Sequence, residues 1–416
     1  MDNKEDKKFQ KLYNKIKKLI KKDSSVNSEI MDWRDYLGQL QYEEAFNEYK
    51  EAYSENKNSY RTNISRGNVH DALGQYDKAL EYYDKAIKIH PEYPEAYYLK
   101  GRLYCSLKLN DRCKELESLN KAIQLDMNYT DAYIFRGHLY EELKKYEKAI
   151  EDYSSAIKVS KDFIPNAYYS RGCTYRNIQN FKKAIEDFTK VIESDVKYCN
   201  LNAYHDRGLT YEQIQEYDNA IEDFSSCIDI DKDYIPAYCY RGRVYCNVQK
   251  YDNAINDCTK AIKLAKAHNV ESNWVEAYYE RGRTYCMMHN YKKALEDCTK
   301  AIKFEKAYGD AYFLRGFIHT ALNDKENAIA DYCKAIELYP NFAGAYFNLA
   351  SIYQDTDFDK AEMYLNKTID NIENFGDKKY LPYQGLAYIY QKKGDEKRTE
   401  EYLQKAKELG YEPEEE

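Results

Sequence analysis

Along most of the chain, small or apolar residues recur at i, i+4 and i+7, give way to a short polar turn, and then recur. Tyr278, Gly282 and Tyr285 share one helical face by this spacing, and Ala294, Cys298 and Ala301 share one on the next segment. The pattern predicts two short amphipathic helices joined by a tight turn, usually with Tyr at its exit (Tyr146, Tyr217, Tyr251, Tyr291). The pair itself repeats. Ala-Tyr-x-x-Arg-Gly-x-x-Tyr stands at Ala167–Tyr175, Ala203–Tyr211, Ala237–Tyr245 and Ala277–Tyr285, with looser copies at Ala96–Tyr104, Ala132–Tyr140, Ala311–His319 and Ala345–Tyr353. Self-similarity of this kind implies stacked helix pairs in place of a single globular core.

Glycine and proline fall where that architecture needs them. A helix-interior Gly costs about 1 kcal/mol against Ala, so its return at one register implies a steric need; close approach of the two helix backbones is the expected reason. Pro94, Pro165, Pro236 and Pro382 fall where a first helix begins, and Pro91 and Pro340 where a second helix has ended. None interrupts a helix interior, where it would cost about 3 kcal/mol.

These residues resemble the tetratricopeptide repeat, a 34-residue helix–turn–helix. The segment Tyr60–Tyr93 carries Gly67, Tyr76, Ala79, Tyr83, Ala86 and Pro91 on the family pattern, with Tyr at the first aromatic place, which is often Trp. The resemblance covers nearly the whole chain and implies an all-α fold, a right-handed superhelical solenoid of antiparallel helix pairs. Registering on the small residue gives repeats starting at Val26, Tyr60, Pro94, Thr130, Pro165, Leu201, Ile235, Val275, Gly309, Ala343 and Tyr380. The domain plan is a basic amphipathic helix over 1–25, about eleven helix pairs over 26–413 and an acidic tail over 414–416. The first repeat is degenerate, with Trp33 at the small place, and so are the last two, with Ala350 and Ala387 there, as in capping repeats. Extra residues around Ala265–Ser272 predict a longer second helix, or a longer loop, in the repeat from Ile235.

Composition narrows the function. The mean hydropathy is −0.88, no apolar run approaches a membrane span, and the start MDNKEDKKFQ has no signal-peptide stretch, so a cytoplasmic location is expected. A net charge of −8 argues against broad nucleic-acid binding. There is no CxxC among the eleven cysteines; Cys258 and Cys298 replace Phe or Tyr of sister repeats and Cys227 replaces Ala, so they read as small core residues. His70 and His319 likewise occupy the place of a core tyrosine. No HExxH exists, and no two glycines lie within three residues, which excludes GxGxxG, the P-loop and GxSxG. No catalytic residue, metal, cofactor or small-molecule substrate is expected; the protein does not read as an enzyme.

What remains is surface. In the resembling family the first helices line a concave face that binds peptide segments of partner proteins, which implies that the second, fifth, sixth, ninth, twelfth and thirteenth places of each repeat face a ligand. Here Tyr98, Phe135, Tyr169, Tyr240, Tyr279, Phe313 and Phe347 hold the fifth or sixth place, Arg102, Arg243 and Arg283 the ninth, and Arg176 the twelfth. Aromatic and Arg side chains dominate binding hot spots. The candidate groove is therefore Tyr240, Arg243, Tyr279 and Arg283, extended by Tyr98, Arg102, Tyr169, Arg176, Phe313 and Phe347. Alternatively, these rings pack on a neighbouring repeat and the guanidiniums pair within the chain. The Arg before each small residue (Arg171, Arg207, Arg241, Arg281, Arg315) recurs throughout and is expected to pair architecturally with Asp187, Asp223, Asp257 and Asp297.

The early groove is acidic, with Glu95, Asp131, Glu141 and Glu142. Further along, Arg243 and Arg283 offset Glu276 and Glu280. The clamp by which chaperone-tail adaptors of the family hold a C-terminal carboxylate is absent near Asn68, where Ile64, Leu99, Asp131 and Phe135 hold its other places. In the start, Phe9, Leu12, Tyr13, Ile16, Leu19 and Ile20 form a stripe among eight lysines between Lys7 and Lys22. It reads as a docked helix, or alternatively as a foot on an anionic membrane or nucleic acid. Three function classes follow: a scaffold binding a peptide segment of another protein, a self-associating assembly protein, and an RNA-reading solenoid, the last needing a more basic groove. The oligomeric state is not legible.

Overall fold

The structure is a computed structural model and describes residues 48, 51–52, 55–56, 58–106, 111–194, 197–270 and 272–412. The expected helix over 1–25, most of the degenerate pair from Val26 and the tail 414–416 lie outside the described residues. Every regular element among those described is helical, with twenty α-helices and one short 3-10 turn, Ile372–Asn374.

The chain divides into two compact units, Met1–Ile178 and Gln179–Glu416. The first holds α1 (Tyr60–Ala72), α2 (Tyr76–Ile89), α3 (Pro94–Ser106), α4 (Arg112–Leu125), α5 (Thr130–Glu142), α6 (Tyr146–Val159) and α7 (Pro165–Asn177). The second holds α8 (Phe181–Ile192), α9 (Lys197–Gln213), α10 (Tyr217–Ile230), α11 (Ile235–Asn247), α12 (Tyr251–His268) and α13 (Ser272–Met287). It continues through α14 (Tyr291–Phe304), α15 (Gly309–Ala321), α16 (Lys325–Leu338), α17 (Ala343–Tyr353), α18 (Phe358–Asp370), α19 (Leu381–Lys393) and α20 (Glu396–Glu408). Within each unit, helices joined by a tight turn pack as antiparallel pairs, and each second helix also packs on the first helix of the next repeat. The fold is an all-α solenoid of helix pairs.

Most first helices begin where the sequence register places them. α9 and α13 start earlier, at Lys197 and Ser272 instead of Leu201 and Val275, and α19 starts one residue later than Tyr380. The extra residues near Ala265 lengthen the second helix: α12 runs for 18 residues where α10 runs for 14, and it closes on Asn269 in the left-handed region, φ 53°.

The recurring glycine has a different cause from the expected close backbones. A Cβ on Gly67 would stand 2.2 Å from the ring of Tyr83, and one on Gly137 2.6 Å from that of Tyr153. Tyr332 fills the same space against Gly316, and Phe224 against Gly208. Each glycine thus makes room for one fully buried aromatic ring of the facing second helix. Where that ring is replaced, backbone closes in as well: Ala254 O lies 3.3 Å from the Gly242 Cβ position beside Cys258, Ala294 O 3.4 Å from that of Gly282 beside Cys298, and Glu115 O 3.5 Å from that of Gly101 beside Leu119. Both cysteines are fully buried, as are Cys227 and the seam alanines.

The turns between paired helices share one geometry. At Lys144, Gln215, Gln249, His289 and Asn323 the backbone is left-handed, φ 56–62°, and among the described turns glycine fills that place at Gly74 and Gly394. The amide one residue later reaches back to the carbonyl of the last first-helix aromatic: Lys145 to Tyr140, Glu216 to Tyr211 and Lys250 to Tyr245. This closes a helix end that otherwise leaves carbonyls orphaned.

A ladder of guanidiniums ties repeats together. Arg136, Arg207, Arg241, Arg281 and Arg315 each donate two hydrogen bonds, of 2.6–2.9 Å, to the Asp of their own second helix: Asp152, Asp223, Asp257, Asp297 and Asp331. The expected pairs of Arg207, Arg241 and Arg281 are therefore present. The remaining nitrogen reaches the preceding repeat, at Asn120 from Arg136, Thr189 from Arg207, Ser225 from Arg241 and Thr259 from Arg281. Arg171 does the same to Ser154. Each guanidinium also lies 5.5–5.9 Å from the ring of the tyrosine three residues before it.

Truncating a rung strands a buried charge. Asp297, 4% exposed against Arg281, is expected to cost about 3 kcal/mol as Asp297→Ala in urea unfolding. The double change Arg281→Met/Asp297→Leu should recover most of that loss. In the opposite direction, Gln215→Gly and Gln249→Gly relieve left-handed strain and should each raise the unfolding free energy measured in urea, by a net of roughly 0.5 kcal/mol; no gain would mean the turns carry no such strain.

Candidate peptide-binding groove

In the second unit, the first helices α9, α11, α13 and α15 lie side by side. The periodicity that places Tyr, Gly and Tyr inward leaves the second, fifth, ninth and thirteenth places on the opposite face. Sequence picks four residues here, and the structure brings them into one network. Arg243 donates to both oxygens of Glu212, at 2.8 and 2.6 Å, lies 3.6 Å from Glu276 and stacks 4.6 Å over the Tyr240 ring. Arg283 donates to Glu280 at 2.8 Å, to Asn247 Oδ1 at 3.0 Å and to the Arg243 carbonyl at 3.2 Å. Tyr240 rests on His205 and Phe224, and Tyr279 meets the Tyr308 ring edge-on at 5.3 Å.

Both guanidiniums are thus paired within the chain, the second of the two readings that the sequence leaves open. Phe313 packs on Phe342 at 4.6 Å and Phe347 on Phe375 at 5.1 Å, so these rings are spent on packing inside their own repeats. In the first unit, Arg102 donates to Asp71 at 3.0 Å, and Tyr98 packs against Tyr129 and Phe135. Tyr169 and Arg176 lie half-buried on α7. Asn68 accepts the Tyr83 hydroxyl at 2.8 Å, which commits the one clamp-like residue of that region to the repeat interior.

Burial sets the electrostatics of the second unit's face. Desolvation pushes the Glu280 carboxyl above the usual range, opposed by Arg283, and does the same to Glu276, opposed by Arg243. Asp310, at the second place of α15, is also raised by desolvation. It has no hydrogen-bond or ion-pair partner among the described residues. The tyrosine hydroxyls of Tyr279 and Tyr308 are held strongly protonated by burial and by these carboxylates.

Sequence reasoning missed two side chains on this face. Phe317 stands at the ninth place, where Arg102, Arg243 and Arg283 stand in sister repeats, and is 46% exposed; Met287, at the thirteenth place of the repeat before, is 54% exposed. The substitution of Phe for Arg at a fixed register was the available signal.

Sequence models of the tetratricopeptide repeat match residues 61–93, 130–163 and 275–308, residues 165–197, 201–234, 235–268, 309–342 and 382–409, and residues 82–115. The chain belongs to the tetratricopeptide repeat family. Among solved structures it is similar to a tetratricopeptide repeat protein from Parabacteroides merdae, at 20% identity and a TM-score of 0.50, over 66% of this chain and 98% of that one. It is also similar to YrrB, described as a TPR protein with an unusual peptide-binding site, at 23% identity and a TM-score of 0.38, over 45% of this chain and 95% of that one. Yeast Tom70 aligns at 18% identity and a TM-score of 0.44, over 84% of this chain and 85% of that one. The first likeness is one of fold, and the other two superpose too loosely to carry more. No curated protein matches the sequence. Among the described residues no helix of the repeats is long and apolar enough to cross a membrane, and no group of three or more His, Cys, Asp or Glu is placed to hold a metal ion.

The lone carboxylate gives a pH test. Because Asp310 titrates higher in the folded repeats than in the unfolded chain, the folded state binds more protons in that window, and this residue's contribution makes the fold more stable as pH falls through it. Asp310→Asn should therefore leave the melting temperature at pH 7 unchanged or higher and flatten its rise on mild acidification; a clear drop at pH 7 would show that Asp310 has a stabilising partner after all.

Proposed function

We propose that the protein is a non-catalytic scaffold that binds a peptide segment of another protein across the first helices of its second unit, in the cytoplasm. Tetratricopeptide repeats mediate protein–protein interactions, which gives the class of function. The observation that carries the finer reading is the ordered row over α11 and α13: Glu212, Glu276, Glu280 and Asn247 hold Arg243 and Arg283, while Tyr240 rests on Arg243 and Phe224 and Tyr279 on Tyr308. Side chains already fixed lose little entropy when a ligand arrives, so such a surface is prepared for contact. Its nitrogens and rings retain partly exposed edges, which suit a segment with charges of both signs and apolar anchors. Ten free thiols among the described cysteines are in keeping with a reducing compartment.

Hydrogen exchange on the intact chain, with and without a co-purified partner, tests this reading. Protection should concentrate on α11, α13 and α15, and Arg283→Gln with Tyr279→Leu, after matching of melting temperatures, should weaken the complex at least tenfold. Protection confined to the second helices α12, α14 and α16 would overturn it.

A further inference from the structure

Two neighbouring departures from the repeat pattern specify the ligand of this face more narrowly. The first is apolar. In the repeat from Val275, the ninth-place Arg283 reaches back to the thirteenth-place Asn247 of the preceding repeat, at 3.0 Å. One repeat later the same two places hold Phe317 and Met287, so apolar side chains stand where a polar couple stood, and both are about half exposed. Leu322 and Met288, in the turns that follow the same two helices, are exposed as well. Large apolar side chains exposed at neighbouring register places are the mark of a contact surface.

The second departure is electrostatic. Glu276, at the second place of its repeat, faces the ninth-place Arg243 of the repeat before, at 3.6 Å. Asp310 holds the equivalent place one repeat later, but the corresponding Arg283 is turned away, toward Glu280, Asn247 and the Arg243 carbonyl. Asp310 is thus left partly desolvated beside Tyr279 and Tyr308, with acidic Glu276 and Glu280 near the same rings and no cation of its own. Its complement is a positive charge.

We propose that the face over α13 and α15 binds a partner segment that offers Asp310 a Lys or Arg side chain and lays a bulky apolar side chain on Phe317 and Met287. This rests on the groove-binding reading and narrows its partner. Asp310 and Phe317 lie seven residues apart on one helix, roughly 10 Å at 1.5 Å per residue. An extended chain spans about that distance in three residues, at roughly 3.3 Å each. The recognised pattern is therefore basic-x-x-apolar, read in either direction. Acidic segments are disfavoured by the carboxylates that line the same face.

Panning a phage library of random 12-residue peptides against the full chain, followed by fluorescence anisotropy of the selected peptides, tests the proposal. The expected winners carry a basic residue three positions from Leu, Phe, Met or Trp. Phe317→Ser should weaken them at least tenfold, and Asp310→Lys should do the same while raising affinity for peptides in which the basic residue is replaced by Glu. Both positions are on the surface, and matched melting curves exclude a folding effect. Peptides that lose affinity with Tyr279→Leu and yet ignore Phe317→Ser and Asp310→Lys would overturn this proposal and leave groove binding standing. No selected peptide, or peptides indifferent to all three variants, would overturn both. A synthetic peptide of residues 1–25 that binds this face more tightly than any selected sequence would assign the site to the chain's own lysine-rich start and overturn the assignment to a separate partner.

Discussion

In five of the repeats a single guanidinium does most to make neighbouring repeats one object. Sandwiched near tyrosine rings, it spends two nitrogens on the Asp of its own second helix and the third on a hydroxyl or amide of the repeat before. A hydrophobic seam alone tolerates sliding, because apolar contact is nondirectional. A bidentate Arg–carboxylate bond with a third fixed acceptor does not, since it has one angle and one register. The ladder thus sets how each pair sits on the last, and the first-helix face inherits its spacing from it.

That face is ordered by a second tier of charges. Arg243 and Arg283 would be costly to fix if they had to be ordered by a ligand, but the chain's own glutamates order them in advance. The tier shifts by one repeat at α15, where Phe takes the Arg place and an acid is left without its cation. Specificity on a solenoid of near-identical repeats has to come from such irregularities, because whatever recurs in every repeat cannot distinguish one stretch of ligand from another.

Much of this fold was legible in the sequence. Prolines and the small-residue register placed most first helices to the residue, and the Arg–Asp spacing foretold the ladder. The misses share a cause: each depended on what a side chain meets on another part of the folded chain. The glycines were read as sites of backbone contact, whereas at four of them an aromatic ring of the second helix occupies the space. Residue type points to Arg243 and Arg283 as binding residues and leaves internal pairing open, but does not name the partners, Glu212 and Glu280. Phe313 and Phe347, also picked, pack on Phe342 and Phe375. Phe317 and Met287, not picked, are the exposed ones, because nothing in residue type distinguishes an aromatic that finds a neighbour from one that does not.

The ladder also has an end. In the repeat from Ala343 the guanidinium place holds Leu349, and Cys333, standing where earlier repeats have the hydroxyl acceptor, is left at the surface. Beyond it, α18, α19 and α20 are joined by a local cluster of Tyr390, Glu362, Lys393 and Arg398. Pulled from the carboxyl terminus, the molecule would behave like a zipper with a weak first tooth. The last two repeats would peel at low force, and the tear would then stall at the first rung it met, Arg315 with Asp331.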